Sequence, residues 1–263
     1  MNVGLVIVGD EILSGKRQDK HLAKVIELLA VRGMVLSWAR YVGDDRPRIT
    51  QALRDAFASG DLVFSCGGIG ATPDDHTRQC AAAALGVELE LHPHARALIE
   101  ERMRDVAREQ GLPFEPERED NVHRLNMGVF PRGAAIIPNP YNKIPGFSVQ
   151  DVHFVPGFPV MAWPMIEWVL DQRYAHLHGG HVQRERSVIC FGSMEATLTP
   201  LMEDLERRFA GIRIFSLPSV DHPQWGRHIE LGVKGTGDVD AAYAAMRAGL
   251  DALQIKVGPE MGR

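Results

Sequence analysis

Apolar positions along the chain fall into two alternating patterns. Short runs are almost continuously Val, Ile, Leu or Phe, and the longer stretches between them repeat an apolar residue every three or four positions. A run apolar at nearly every position marks a strand covered on both faces, whereas the 3.6-residue period marks a helix with one buried stripe. VGLVIVG (3–9), MVLSWARYV (34–42) and DLVFSC (61–66) are strands on this reading. Helices follow at DKHLAKVIELLAVRG (19–33, closed by Gly33), RPRITQALRDAFASG (46–60) and DDHTRQCAAAALG (74–86, ending at Gly86). Pro47 suits a first helical turn, and Asp44 or Asp45 can cap it. The order βαβαβα predicts a parallel sheet with helices on both faces.

Residues 92–130 read as charged helix and then, through PFEPERED, as loop. AAIIPNP (134–140) and VHFVPG (152–157) are further strands, and FPVMAWPMIEWVLDQRY (158–174) is a helix that Pro164 should kink or start late. The pattern lapses at HLHGGHVQ (176–183). That lapse divides a first domain, 1–175, from a second, 183–263, with 176–182 as linker. The second part runs strand (187–192), helix (194–211), two strands (212–219 and 227–235) and helix (239–254), a small α+β module.

The third strand opens directly into CGGIGATPDDHT, residues 66–77. In open α/β sheets ligands bind beyond the carboxyl ends of the strands, and glycines there let backbone N–H groups face a phosphate. Gly67, Gly68 and Gly70 are the candidates; a plain tight turn is the alternative. Neither the dinucleotide fingerprint nor the P-loop fits: Pro73 stands where the first needs glycine, and the second needs Gly-Lys-Ser/Thr. Carboxylates beside a phosphate repel it unless a divalent cation bridges them or they join the chemistry. Asp74 is placed to cap the following helix, with Asp75 and Thr77 one turn in and able to face the ligand. Asp44, Asp10 and Glu11 lie along the same edge. This arrangement predicts metal-assisted work on a phosphate, with Asp75, Asp44 and Asp10 as metal ligands.

The runs GDEILSG (9–15), VGDD (42–45), CGGIGATPDDHT, PNPYNKIPGF (138–147) and FVPGFP (154–159) together resemble the molybdopterin-binding domain family, which includes the MoaB/Mog proteins. Within it the match is nearest to the N-terminal domain of the competence/damage-inducible protein A (CinA) group. The later module, with FGSMEATLTPLMEDL, is similar to the small KH-like domain that follows in that group; the deamidase domain that comes after it has no room in these 263 residues. The resemblance implies a three-layer α/β/α fold with a mostly parallel sheet. It implies a pocket for a phosphate-bearing nucleotide or pterin, molybdopterin included, with Mg²⁺ at the acidic edge. It makes Asp75 and Asp44 the functional acids, and lines the pocket with Thr72, Asp74, Asn139, Pro145, Gly146, Pro156 and Gly157. The implied activities are hydrolysis of a nucleotide pyrophosphate such as ADP-ribose, binding of molybdopterin without turnover, or adenylyl transfer to it. The family's association habits imply a dimer or trimer.

Three departures stand out. The family's D-T-N is Asp19-Lys20-His21, its G-T-A is Asn142-Lys143-Ile144, and its P-G-V-P-S-E-M is Pro156-Gly157-Phe158-Pro159-Val160-Met161-Ala162. Lys143 either contacts a phosphate or is a plain surface lysine. The lost serine and glutamate suit an altered substrate or a site that only binds.

Other features narrow the field less. A net charge of −5 argues against a chain-wide polyanion surface, and residues 180–263 hold 10 Lys/Arg against 11 Asp/Glu. Nucleic acid is therefore not an expected partner, although GVKG (232–235) matches the GxxG of KH domains. No apolar run is long enough for a membrane span and no signal peptide is expected. Cys66, Cys80 and Cys190, without CxxC spacing, suit a reducing cytoplasm. His176, His178 and His181 read as a solvated hinge rather than a metal clip. Trp163 and Trp168 read as packed, and Cys66 as a structural thiol. His76 either touches ligand or caps a turn; Arg40 and Arg46 either bind phosphate or are plain strand-end arginines.

Overall fold

The computed structural model describes residues 1–179 and 184–262. It divides into two compact units, Met1–His178 and Gly179–Arg263.

In the first unit, strands β1 (Val3–Val8), β2 (Trp38–Val42) and β3 (Leu62–Cys66) alternate with helices α1 (Asp10–Leu13), α2 (His21–Ala30), α3 (Arg46–Ser59) and α4 (Thr77–Leu85). Then come β4 (Leu89–Leu91), α5 (Pro93–Glu109), α6 (Glu119–Leu125), β5 (Val129–Pro131), β6 (Ala135–Ile137), β7 (Gly146–Val149), β8 (Val152–Val155) and α7 (Pro159–Arg173). Six strands form one sheet in the order β2-β1-β3-β8-β7-β6. β2, β1, β3 and β8 are parallel, and β7 alone runs against its neighbours.

The central strands β1, β3 and β8 are buried at every position, because nearly all their residues are apolar. Val3, Leu5 and Ile7 of β1 point into one core with Val25, Leu28 and Leu29 of α2 and Met165, Ile166 and Val169 of α7. Val6 and Val8 point into the other, with Ile49, Leu53 and Ala56 of α3 and Cys80 and Ala81 of α4. The result is a three-layer α/β/α unit. At about 25 cal/mol per Å² of apolar surface, each such buried Leu or Ile stabilises by roughly 1.5–3 kcal/mol.

Several boundaries differ from the sequence pattern. The second strand is ordered only from Trp38, whose indole lies against Gly4 of β1: a Cβ there would meet the ring at 2.2 Å. The helix after the glycine turn starts at Thr77, not at Asp74, so Asp74 is not its cap. α7 begins at Pro159 and continues through Pro164 rather than starting late. β7 falls where the pattern shows loop, and β4 pairs with β5 in a small sheet beside α4. On β8, His153 is fully buried between the Ser148 hydroxyl (2.7 Å) and Tyr174 Oη (2.8 Å), and Tyr174 donates to Asp151. Burial pushes this imidazole down to about 3, so it stays neutral.

The second unit has β9 (Arg184–Phe191), α8 (Glu195–Arg208), β10 (Ile212–His222), β11 (Gly226–Gly235), α9 (Val239–Ala252) and β12 (Lys256–Gly262). Its antiparallel sheet runs β10-β11-β9-β12 over a core of Val188, Leu198, Leu205, Leu231, Met246 and Leu250. β12 carries Pro259 on a sheet edge, where a missing N–H costs little, with the register shifting between Val257 and Glu260. The GVKG run lies inside β11. A Cβ on Gly232 would meet the Phe215 ring at 2.2 Å, so this glycine serves strand packing, not a nucleic-acid loop. His176 lies in a single 3₁₀ turn, Ala175–Leu177, and His178 Nε2 is 3.2 Å from Leu170 O; His181 lies outside the described residues. No helix among the described residues is long and apolar enough to cross a membrane.

Candidate functional site

The carboxyl ends of β1, β2, β3 and β8, with the β6–β7 connection, enclose a cleft of about 390 Å³ in the first unit. Its floor is the glycine turn after β3. Gly67 (φ 103°) runs against β1 so closely that a Cβ would lie 2.3 Å from Val8 O. Gly68 (φ 69°) sits on Thr77, whose Oγ1 would be 2.1 Å from such a Cβ. Side chains and backbone of α4 grip the turn from beneath. Thr77 Oγ1 donates to Gly67 O (3.0 Å), Thr77 N–H to Gly68 O (2.9 Å), and Arg78 Nη1 to Ile69 O (2.9 Å). The carbonyls of three successive residues are thus occupied. The N–H groups of Gly68, Ile69, Gly70 and Ala71 find no acceptor among the described residues, and all four residues line the cleft. Successive free N–H groups of this kind form an anion-binding concavity.

Carboxylates surround this concavity. Asp75 closes the Thr72–Asp75 turn, accepting from Thr72 N–H (2.8 Å) and from the Thr72 hydroxyl. Asp44 Oδ2 accepts from Asp10 N–H (2.9 Å) while Asp10 Oδ1 accepts from Asp44 N–H (3.1 Å), a reciprocal clasp between the ends of β1 and β2. A Cβ on Gly43 would lie 2.4 Å from Asp10 Oδ1, so only glycine admits the clasp. Burial raises the Asp44 carboxyl above the ordinary value; the Asp10 N–H opposes this, and repulsion from Asp10, Glu11 and Asp74 adds to it. No Lys or Arg lies within 4 Å of Asp10, Glu11, Asp44, Asp74 or Asp75 among the described residues.

Most of the residues singled out in the sequence line the cleft: Asp44, Gly67, Gly68, Gly70, Thr72, Asp74, Asp75, Asn139, Pro145, Pro156 and Gly157. Four do not. Thr77 is fully buried and holds the turn from below instead of facing a ligand. Lys143 is turned away toward α5, its Nζ held by Glu101 (2.6 Å) and Asp105 (2.5 Å). Gly146 is buried in β7, where a Cβ would lie 2.3 Å from Phe154 O. Asp10 is engaged with the Asp44 backbone, and its neighbour Glu11 lines the cleft in its place, one helical step round α1. Among the described residues no three His, Cys, Asp or Glu side chains gather closely enough to hold a metal ion alone.

Arg17 also lines the cleft, without an ion-pair partner among the described residues; the sequence signal was the Lys16-Arg17 pair after Gly15. The far wall is Met127, Ile144, Pro145, Phe158 and Met161, an apolar surface suited to a flat ring. Asn139, 4% exposed, shapes that wall by donating to Asn142 Oδ1 (2.8 Å) and Ile144 O (2.9 Å). His21 supports the Pro156–Gly157 turn, its Nε2 3.0 Å from Gly157 O. Arg40 pairs with Asp55 (2.8 Å) and stays outside the cleft. Trp163 and Trp168 pack against the core, and Cys66 is a buried thiol whose pKa burial pushes up.

A family model described as a probable molybdopterin binding domain matches residues 4–176. A CinA-like protein of Anaeromyxobacter sp. (strain Fw109-5) is 34% identical over 213 residues, 78% of this chain and 49% of that protein. The chain spans about half the length of the CinA-like relatives it matches. Among solved structures, CinA of Thermoplasma acidophilum, a protein of unknown function, aligns with TM-score 0.55 at 28% identity. That alignment covers 65% of this chain and 98% of the other. MoaB of Thermus thermophilus, a molybdopterin biosynthesis enzyme, aligns with TM-score 0.40 at 24% identity over 68% of this chain and 96% of the other.

Proposed function

The chain belongs to the molybdopterin-binding domain family, as a CinA-like member with the MoaB/Mog fold, and on that premise we propose that its cleft binds and hydrolyses a nucleotide pyrophosphate such as ADP-ribose. One observation carries the reading: four successive backbone N–H groups without acceptors lie in the same cleft as Asp44 and Asp75. The glycine-turn amides hold one phosphate, Arg17 draws the second, and the apolar far wall takes the base.

The crowded carboxylates fit a divalent cation. Magnesium is commonly held by one or two carboxylates together with the substrate's own phosphates, so three gathered acids are not required. Asp75 and Asp44 would hold it, with Glu11 facing the same space in place of Asp10. When bound, it would neutralise phosphate charge and acidify a water. Asp44 orients the attacking water and takes its proton. The water oxygen bonds to phosphorus, the bridging P–O bond breaks, and AMP and ribose 5-phosphate leave.

Asp75→Asn is expected to lower Mg²⁺-dependent AMP release from ADP-ribose by about 10²–10³-fold while the protein stays folded by circular dichroism. Equal turnover by variant and wild type would remove Asp75 from the mechanism.

A second reading has its own support. Met161 occupies the place of the family's glutamate on the cleft wall, and its neighbour Val160 is 53% exposed with no polar group to offer. Loss of both polar groups favours a module that binds molybdopterin or a nucleotide without turnover. Calorimetry with ADP-ribose, AMP and molybdopterin, with and without Mg²⁺, separates the two: tight binding with no product after long incubation selects the module. Adenylyl transfer to molybdopterin is the third outcome, read as loss of ATP with formation of an adenylylated pterin.

A further inference from the structure

Beside the Thr72–Asp75 turn lies a second pocket of about 340 Å³, which shares Ala71, Thr72 and Asp75 with the cleft. Arg46, His76, Arg78, Gln79 and Asn126 line it. Arg78 is only 4% exposed. A guanidinium carries five N–H donors, and a buried one is normally met by a carboxylate. Here one bond, to Ile69 O, is made, and no carboxylate lies within 4 Å of Arg78 among the described residues. None of its nitrogens is among the sealed, partnerless buried atoms, so the remaining donors open onto the pocket.

Two further features of the pocket favour an anion independently. The nine-residue helix α4 begins here with His76 at its N-cap and no side-chain cap bond. The N–H groups of Arg78 and Gln79, in its first turn, find no acceptor among the described residues. Uncapped first-turn amides at the positive end of a helix favour an anion. Arg46 brings a second guanidinium, also without an ion pair among the described residues. Against these stands one carboxylate, Asp75, whose oxygen is already taken by Thr72. The lining is therefore net cationic.

The geometry points to a phosphate-binding subsite at Arg78, Arg46 and the start of α4, separate from the cleft. Its ligand is a phosphate group, carried either by a nucleotide or by free orthophosphate. Because Ile69 O and Asp75 belong to the turn that floors the cleft, an anion on Arg78 would also stiffen that turn. The subsite does not depend on turnover in the cleft.

The test is calorimetric titration of the full chain with orthophosphate, without Mg²⁺ and at matched chloride. Wild type is expected to bind saturably. Arg46→Ala, at an exposed position that leaves the fold intact, should weaken binding at least tenfold. Arg78→Lys should also weaken it, since the charge stays but the fork is lost. Arg40→Ala, whose guanidinium pairs with Asp55 away from both pockets, should leave it unchanged. No saturable binding by wild type overturns the subsite, as does binding that Arg17→Ala, in the cleft, removes and Arg46→Ala keeps. AMP added to the phosphate-saturated protein identifies the source. Competition assigns the group to a nucleotide, and independent heats assign it to free phosphate; the Arg46→Ala loss upholds the subsite in both cases.

Discussion

The acids of the first unit's cleft and two acids of the second unit, Asp240 of α9 and Glu260 of β12, are oppositely treated. Asp240 sits between Arg184 (2.8 Å) and Arg186 (3.2 Å), and Glu260 between Arg186 and Arg247. The Arg186 side chain holds Asp240 below the ordinary carboxylate range. Asp44, Asp10, Glu11 and Asp74 have no such partners among the described residues, and burial, with repulsion from the other three added, raises the Asp44 carboxyl. A fold that pairs its carboxylates in one place and crowds them in another is tolerating a cost at the second. That contrast supports the proposed role of the cleft more firmly than any single motif does.

Glycine divides the two regions in the same way. In the cleft Gly68 is needed for a left-handed turn that leaves amides free, and in the second unit Gly232 is needed to seat Phe215 and Ser187. The largest effect is therefore expected from Gly68→Ala. It combines a φ of 69° with a Cβ 2.1 Å from Thr77 Oγ1, and should cost about 3 kcal/mol and abolish nucleotide binding together. Chemical denaturation and calorimetry on one preparation check it. A variant that stays fully stable would show that the turn is looser than its contacts imply.

Thr77→Val ranks next. It keeps the shape under Gly68 but deletes the hydroxyl that holds Gly67 O, for a cost of about 1–2 kcal/mol. The expected signature is faster amide exchange at Gly67 and Thr77, whose N–H groups are held by Val155 O and Gly68 O, and weaker ADP-ribose binding, with exchange in β9 and β11 of the second unit unchanged. Equal exchange in variant and wild type would remove Thr77 as the anchor.

Much of this was legible in the chain itself, and the exceptions have common causes. β1 and β3 were visible because strands buried on both faces are apolar at nearly every position. β7 was not, because Gly146 is there for contact with Phe154 and follows a Pro- and Asn-rich loop that reads as coil. β12 hid behind Pro259 at a sheet edge. The glycine turn and its acids were readable because they are contiguous. Lys143 stayed open between a phosphate contact and a plain surface lysine because its partners, Glu101 and Asp105, are about forty residues away. Arg78 gave no signal at all: an arginine in the first turn of a helix looks exposed until tertiary packing buries it.

The smallest effect is also the sharpest on the opening contrast, because its sign differs between the two regions. Asp44→Asn keeps an oxygen for the Asp10 N–H and removes a charge from a crowd, so the metal-free protein should gain stability at neutral pH, about 0.5 kcal/mol after solvent screening. Asp240→Asn removes a charge from between two arginines and should lose stability. The pH dependence follows from linkage. The folded pKa of Asp44 is raised, so its ionisation costs stability above that pKa, and the variant's advantage should vanish as pH falls through it. The folded pKa of Asp240 is lowered, so its contribution is present above the unfolded value and fades as pH falls through the folded one, and the variant's deficit should close there. Melting temperatures of the three proteins between neutral and acid pH measure both. Deficits of the same sign at neutral pH would mean that the cleft acids are as well accommodated as the paired ones, and the crowding at Asp44 would no longer mark a site of function.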